Sequence, residues 1–147
     1  MPDAPHQDAP NSDAHHKGIL DITLGCDDLA LAAPFYDAVM GALGLVRLPN
    51  PPTGWAGWGD GVGLWLCPPF DGGPATAGNG TMVTLAATSA AMVRAFHLAG
   101  LAHGGTDAGS PGTRAAYAPN FYVAYLRDPL GHKIACSFSS YDPAKEQ

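Results

Sequence analysis

Ile22–Gly44 reads ITLGCDDLALAAPFYDAVMGALG, and Val83–Gly105 reads VTLAATSAAMVRAFHLAGLAHGG. Laid over each other at an offset of 61 residues, with no gaps, they share Thr23/Thr84, Leu24/Leu85, Ala30/Ala91, Phe35/Phe96, Ala38/Ala99 and Gly44/Gly105; Ile22/Val83 and Leu31/Met92 are near matches. Self-similarity at a fixed spacing means two copies of one supersecondary unit. Each copy opens as a half-buried strand and continues with apolar residues at helical spacing. Between strand and helix stand Asp27-Asp28 in the first copy and Thr88-Ser89 in the second. Their side-chain oxygens can accept from the free N–H groups of a first helical turn. A glycine closes each unit. Pro34 places the start of the first helix near itself, after a turn over Leu29–Ala33, because proline is tolerated at the first helical position and not further in. Phe35, Val39 and Leu43 then face the sheet, as Phe96 does in the second helix.

Further strands follow each helix. In the first half they are expected at Leu45–Leu48, Trp55–Asp60 and Val62–Pro68. In the second they are expected near Thr106, at Tyr122–Arg127 and at Lys133–Ser139. Asp128-Pro129-Leu130-Gly131 has the residues of a type I turn, so the last two strands form a hairpin. Phe70–Asn79, rich in Gly and Pro, joins the halves. The expected fold is α+β: two βαβββ modules, about 18–69 and 80–140, forming a curved eight-stranded mixed sheet with helices on one face and a cleft on the other. Residues 1–17, rich in Pro, Asp and His without periodicity, are expected to be a disordered tail, and 141–147 a C-terminal tail.

Period-two alternation sorts the side chains between the two faces. Leu20, Ile22 and Leu24 should lie beneath a helix, leaving Ile19, Asp21 and Thr23 on the cleft side. By the same rule Trp65 and Cys67, Met82 and Thr84, and Lys133, Ala135 and Ser137 face the cleft.

Composition excludes several function classes. The chain has 147 residues, 46% hydrophobic and only 14% charged, with 19 Gly and 14 Pro and a net charge of −6. Such a chain can bury a core, and its many turn formers suit short strands and loops. There is no Lys/Arg run to track phosphates, so no nucleic-acid partner is expected. No apolar stretch approaches membrane-spanning length, and the N-terminus lacks an apolar leader, so the expected location is the cytoplasm. Cys26, Cys67 and Cys136 are odd in number and form no C-x-x-C, so they read as small buried hydrophobes. His97, His103 and His132 read as surface histidines on a helix, its end and a hairpin turn.

Three segments in order carry a family resemblance. LDITLGCDDLALAAPFYDAVMGALGL resembles the opening of glyoxalase/bleomycin-resistance/dioxygenase (vicinal oxygen chelate) proteins. GNGTMVTLAATSAAMVRAFHLAGLAHGG resembles their second module, and DAGSPGTRAAYAPNFYVAYLRDPLGHKIA is similar to the ending of a lactoylglutathione-lyase-like subgroup. The resemblance implies a cleft that, in metal-dependent members, holds one divalent ion on four side chains, mostly His and Glu. The positions matching those ligands are Asp21, Trp65, Met82 and Ala135. Only Asp21 suits a hard ion; one carboxylate with an indole, a thioether and a methyl is not a ligand set. The expectation is therefore no metal and no other cofactor. The resemblance also implies a homodimer, in keeping with twofold pairs being the commonest assembly.

The candidate site is the cleft: Asp21, Thr23, Trp65, Met82, Thr84, Lys133 and Ala135 from the strands, with Arg114, Tyr117 and Tyr122 from the longer segment Asp107–Tyr122. Two readings stand for Trp65 and Met82, core packing that closes the cleft or an apolar floor for a ligand. Asp21 is a solvated or Lys133-paired carboxylate, or, shielded by Trp65 and Met82, the candidate catalytic base. The Asp107–Tyr122 segment covers the cleft edge, contacts a second chain, or clamps an anionic or aromatic small molecule with Arg114 and its aromatics. The function expected is small-molecule binding or metal-independent catalysis. Its rivals are a metal-dependent lyase, isomerase or dioxygenase, and a drug-sequestering protein.

Overall fold

The computed structural model describes residues 18–145; the expected N-terminal tail lies outside them. Element order is β1 (Asp21–Gly25), α1 (Leu29–Ala42), β2 (Ala56–Asp60), β3 (Val62–Cys67), β4 (Met82–Ala86), α2 (Ala90–Ala102), β5 (Thr106–Thr113), β6 (Tyr122–Arg127), β7 (Lys133–Phe138) and a 3-10 turn, Pro143–Lys145. No helix among the described residues is long and apolar enough to cross a membrane.

The repeat read from the sequence is present in the pairing. β1 runs parallel to β3, with Asp21 opposite Gly63 and Thr23 opposite Trp65. β4 runs parallel to β7, with Met82 opposite Lys133 and Thr84 opposite Ala135. β2 and β6 each add antiparallel to the outer side. Thr23/Trp65 and Thr84/Ala135 are thus equivalent pairs of two units with the same pairing pattern.

Two expectations about the sheet are corrected. Among the described residues the strands form one sheet of three, β1-β3-β2, and one of four, β4-β7-β6-β5, instead of a single eight-stranded sheet. The strand expected at Leu45–Leu48 is reduced to a bridge between Arg47 and Trp58, extended by the Leu48 N–H to the Gly57 carbonyl at 2.8 Å. Pro49, Pro51 and Pro52 follow at once, and proline cannot donate to a ladder. The remnant is pinned by its side chain. Arg47 donates twice to Asp37 of α1, at 2.8 and 2.9 Å, and the Trp58 indole N–H donates to the same carboxylate at 3.0 Å. The Arg47 hydrogen bond holds the Asp37 carboxyl below its ordinary value. Conversely, the short strand expected near Thr106 is eight residues long, and bulges near Asp107, Gly109 and Gly112 accommodate its irregular sequence.

The caps are where the sequence puts them. Asp28 accepts from the Leu31 N–H at 3.0 Å and Ser89 from the Met92 N–H at 3.1 Å. The first helix nonetheless begins at Leu29, five residues before Pro34, which lies inside it. Interior proline costs about 3 kcal/mol. The cap and the burial of Phe35, Tyr36, Val39 and Met40 offset that, since each large apolar side chain taken from water contributes roughly 1.5–3 kcal/mol. Leu43 is only partly buried. α1 and α2 pack on each other, and one continuous core joins Phe35, Tyr36 and Trp58 to Phe96, Leu126 and Ile134. Past β7, Tyr141 packs against Tyr122 with ring centroids 4.7 Å apart, and its N–H donates to the Asn120 carbonyl.

The β6–β7 turn is a second tie between the units. The Tyr36 hydroxyl of α1 donates to Asp128 at 2.6 Å, and Asp128 also accepts from the Leu130 and His132 N–H groups. His132 Nε2 lies 2.8 Å from the Gly25 carbonyl at the end of β1. Burial and the neighbouring Asp128 push the Tyr36 phenol well above its ordinary pKa. His132 is therefore not a surface histidine. Nor is His97, which continues the buried face Val93, Phe96, Gly100 of α2 and lies 2.8 Å from Asp107. That bond holds the Asp107 carboxyl below its ordinary value. His103 is exposed.

Candidate functional site

Alternation puts Asp21 and Thr23 on the exposed face of β1 and Leu24 under the helix. On β3, Leu64 and Leu66 are buried in the core, and Trp65 emerges on the other side. The Trp65 indole lies across the strands. Its N–H donates to Asp21 at 3.1 Å, and Trp55 meets it edge-on at 6.2 Å. A Cβ on Gly57 would stand 2.3 Å from Trp65 Cε3, and one on Gly63 would stand 2.5 Å from its Nε1. Gly57 and Gly63 are thus the bed of this indole. Gly57 is a strand residue in β2. Asp21 is exposed. It lacks the shielding that would make it a buried base, and it is not paired with Lys133.

The first sheet's open side is partly taken by the linker. The Ala75 N–H donates to Asp27 at 2.6 Å, bringing Pro68–Thr76 alongside Thr23, Trp55 and Cys67 around a cavity of about 520 Å³.

The second sheet carries the other group. Met82 is 44% exposed and Thr84 is also exposed, whereas Ala135, opposite Tyr125 in the register, is 1% exposed. A cavity of about 530 Å³ is lined by Met82, Ala108, Arg114, Tyr117, Phe121, Tyr125 and Lys133. The segment Arg114–Phe121 closes on itself through the Arg114 N–H to the Phe121 carbonyl, and Tyr117 and Phe121 meet edge-on at 5.8 Å.

Four of the expected cleft residues, Met82, Arg114, Tyr117 and Lys133, are therefore brought together. Asp21, Thr23 and Trp65 belong to the other sheet. Tyr122 is a correction. It pairs with Phe138 on the helix side, buried, with its hydroxyl 3.4 Å from Arg94 of α2. Parity explains it: Tyr125 shares the face of Ala135, so Tyr122, three residues away, must point to the opposite one. Tyr125 is the residue that sequence reading missed, although the turn Asp128–Gly131 already fixes the hairpin register that places it.

The four positions matching the family's metal ligands are split two and two between the sheets. A hard divalent ion at Asp21 would meet one carboxylate, already accepting the indole N–H; the opposite sheet offers a thioether and a buried methyl. These residues do not fit a divalent ion. Burial raises the pKa of Cys26 and Cys67 and takes Cys136 up to about 12, which favours the neutral thiol at each.

Comparison with solved structures agrees with this frame. A glyoxalase/bleomycin resistance protein from Albidiferax ferrireducens T118 is 35% identical, with a TM-score of 0.73 over 85% of this chain and 98% of that one. A glyoxalase/bleomycin resistance protein/dioxygenase family enzyme from Burkholderia phytofirmans PsJN is 15% identical (TM-score 0.66, 81% and 96% covered). A lactoylglutathione lyase from Agrobacterium tumefaciens is 23% identical (TM-score 0.58, 83% and 93% covered); these last two likenesses concern the fold alone. No protein-family sequence model and no curated protein matches the chain. With its βαβ-repeat frame, its paired mixed sheets and 35% identity to the Albidiferax protein over nearly that protein's whole length, the chain belongs to the glyoxalase/bleomycin resistance/dioxygenase family.

Proposed function

We propose that this chain binds a small organic molecule on the exposed face of the second sheet, without a divalent metal at the family's ligand positions. One observation carries the reading: the cavity of about 530 Å³ walled by Met82, Tyr117, Phe121 and Tyr125, with Arg114 and Lys133 as its polar groups. Apolar and aromatic walls with a few convergent polar groups are what small-molecule sites are made of. Its lining contains no Asp, Glu, His or Cys, so a proton transfer there would fall to Lys133, Tyr117 or Tyr125. The same lining is unsuited to sequestering a cationic drug, which would meet two cations. The three unpaired thiols suit a reducing compartment, so the cytoplasm is the proposed setting.

The metal question has a direct test. In full-length protein with His6, His15 and His16 replaced by Ser, saturating Ni, Zn, Mn or Fe should leave the melting temperature unchanged. An ion bound at 100 times its Kd would contribute about 2.7 kcal/mol, a rise of about 5 °C or more. A rise of that size, abolished by Asp21→Ala, would restore the metalloenzyme reading.

The proposed assembly is a homodimer in which the open face of one sheet meets a second copy. Its support is that the two sheets are unjoined among the described residues and that Ile19, Leu20, Val62 and Met82 leave apolar surface exposed at their ends. Light scattering at micromolar concentration should give twice the 15.1 kDa chain mass; a monomer would refute it. For the binding site itself, a thermal-shift screen of small aromatic compounds should find ligands whose effect disappears in Tyr117→Ala and Phe121→Ala. Ligands indifferent to both substitutions would place the site elsewhere.

A further inference from the structure

Three cations share one face of the second sheet. Arg127 and Lys133 are direct register partners across β6 and β7, and like charges so placed destabilise a sheet. Arg127 reaches away to the Gly131 carbonyl at 2.9 Å. Lys133 instead holds its ammonium 5.1 Å from the centre of the Tyr125 ring, and the Arg114 guanidinium carbon lies 5.7 Å from the same centre. One ring therefore carries two cations. Among the described residues no carboxylate is within ion-pair distance of either, whereas Arg47 and Lys145 each have one. The chain is not short of acid, with 13 Asp and Glu against 7 Lys and Arg. The pair is left open on the wall of a cavity.

The guanidinium is also held in place. Arg114 donates to its own Thr113 carbonyl at 3.1 Å and to the Ser110 carbonyl at 2.8 Å, which fixes its plane. β5 clears the space it needs. A Cβ on Gly109 would be 2.6 Å from Tyr125 Cδ2, and one on Gly112 would be 3.3 Å from Arg114 Nη1. A preset pair of cations costs little further ordering when a ligand arrives. A carboxylate between them gains charge-assisted hydrogen bonds and relieves the repulsion from Arg127. The rest of the lining is apolar or aromatic and takes the remainder of the ligand.

We propose that this pocket is specific for a small aromatic carboxylate, its ring packed among Tyr117, Phe121 and Tyr125 and its carboxylate between Arg114 and Lys133. The proposal rests on reading the second-sheet cavity as the ligand site. Calorimetric titration of the full chain with 2-naphthoate, 2-naphthamide, 2-naphthylmethylamine and inorganic phosphate tests it. Naphthoate should bind about tenfold or more tighter than the amide, since hydrogen bonds to charged groups are the stronger kind. Added salt should weaken it, and the amine should bind worst. Lys133→Met and Arg114→Met should each weaken naphthoate about tenfold and leave the amide unchanged. Lys133→Met should melt at or above the parent protein, because it removes the clash with Arg127, so its lost affinity cannot be a folding defect. Equal affinity for naphthoate and amide would overturn the anion assignment while leaving the pocket standing. Phosphate binding as tightly as naphthoate would reduce the site to a general anion surface and overturn the aromatic part. If no aromatic probe of any charge binds, the pocket reading falls and this proposal with it.

Discussion

Asp128→Ala should lower stability by about 3 kcal/mol in urea unfolding, one of the two largest losses expected of any single substitution considered. Asp128 is 4% exposed and accepts three hydrogen bonds: from the Tyr36 hydroxyl at 2.6 Å, the Leu130 N–H at 2.8 Å and the His132 N–H at 2.9 Å. Removing the carboxylate leaves the buried Tyr36 hydroxyl without its acceptor, and an unsatisfied buried group costs roughly 1–3 kcal/mol. It also loosens the turn from which His132 reaches the Gly25 carbonyl, so the damage falls on the junction between the repeats. Tyr36→Phe removes one of these bonds without creating a cavity, and should cost about 1 kcal/mol. The double substitution should be less damaging than the sum, because both remove the same contact. A loss under about 0.5 kcal/mol for Asp128→Ala, the range of ordinary surface changes, would show that this network does not hold the units together.

The parts of this fold that are legible in the sequence are those fixed by near neighbours or by the repeat. Asp28 and Ser89 cap because a side-chain oxygen reaches two or three residues ahead. The equivalence of Thr23 with Thr84 and of Asp21 with Met82 follows from the 61-residue offset, and alternation puts each pair on one face. The illegible parts depend on tertiary competition. Pro34 argues locally for a later helix start, but the core residues that follow it outweigh a missing N–H. Arg47 and Leu48 look like strand, yet the prolines beyond them leave only a bridge. Whether two modules of one chain share a sheet depends on long-range packing, and no local pattern encodes it.

The site was half legible for the same reason. Met82 and Lys133 follow from alternation, and Arg114 and Tyr117 from the aromatic content of one segment. Tyr122 falls on the wrong face when Asp107–Tyr122 is taken as one loop, because parity across the hairpin then does not reach it. Counting back from Lys133 through the turn gives Tyr125 instead. Gly57 hid in a run of glycines. Its true signal is that it stands opposite a tryptophan on the neighbouring strand, where only an absent side chain admits the indole.

The second large effect is expected at the crossing of the two helices, where the repeat breaks its own symmetry. The repeat aligns Val39 with Gly100, and the two meet: a Cβ built on Gly100 lies 3.2 Å from Val39 Cγ1, 3.0 Å from Phe35 Cε2 and 2.3 Å from Leu126 Cδ1. Phe35, Val39 and Leu126 are fully buried and have nowhere to retreat. Gly100→Val should therefore destabilise by about 2–3 kcal/mol, the cost of overpacking a filled core. Helix propensity pulls the other way, since glycine inside a helix is worse than alanine by about 1 kcal/mol. Gly41 in α1 isolates that term, because nothing lies within 4 Å of a Cβ placed there. Gly41→Ala should stabilise by about 0.5–1 kcal/mol. Gly100→Ala should destabilise, the same change giving opposite signs on the two helices. Moving the bulk across the axis, Val39→Gly with Gly100→Val, relieves the clash with residue 39 and leaves that with Leu126. The pair should thus be coupled by about 1 kcal/mol without returning to parent stability. Strict additivity of the two substitutions, measured by urea unfolding, would mean that residues 39 and 100 do not pack against each other and that the helices cross elsewhere.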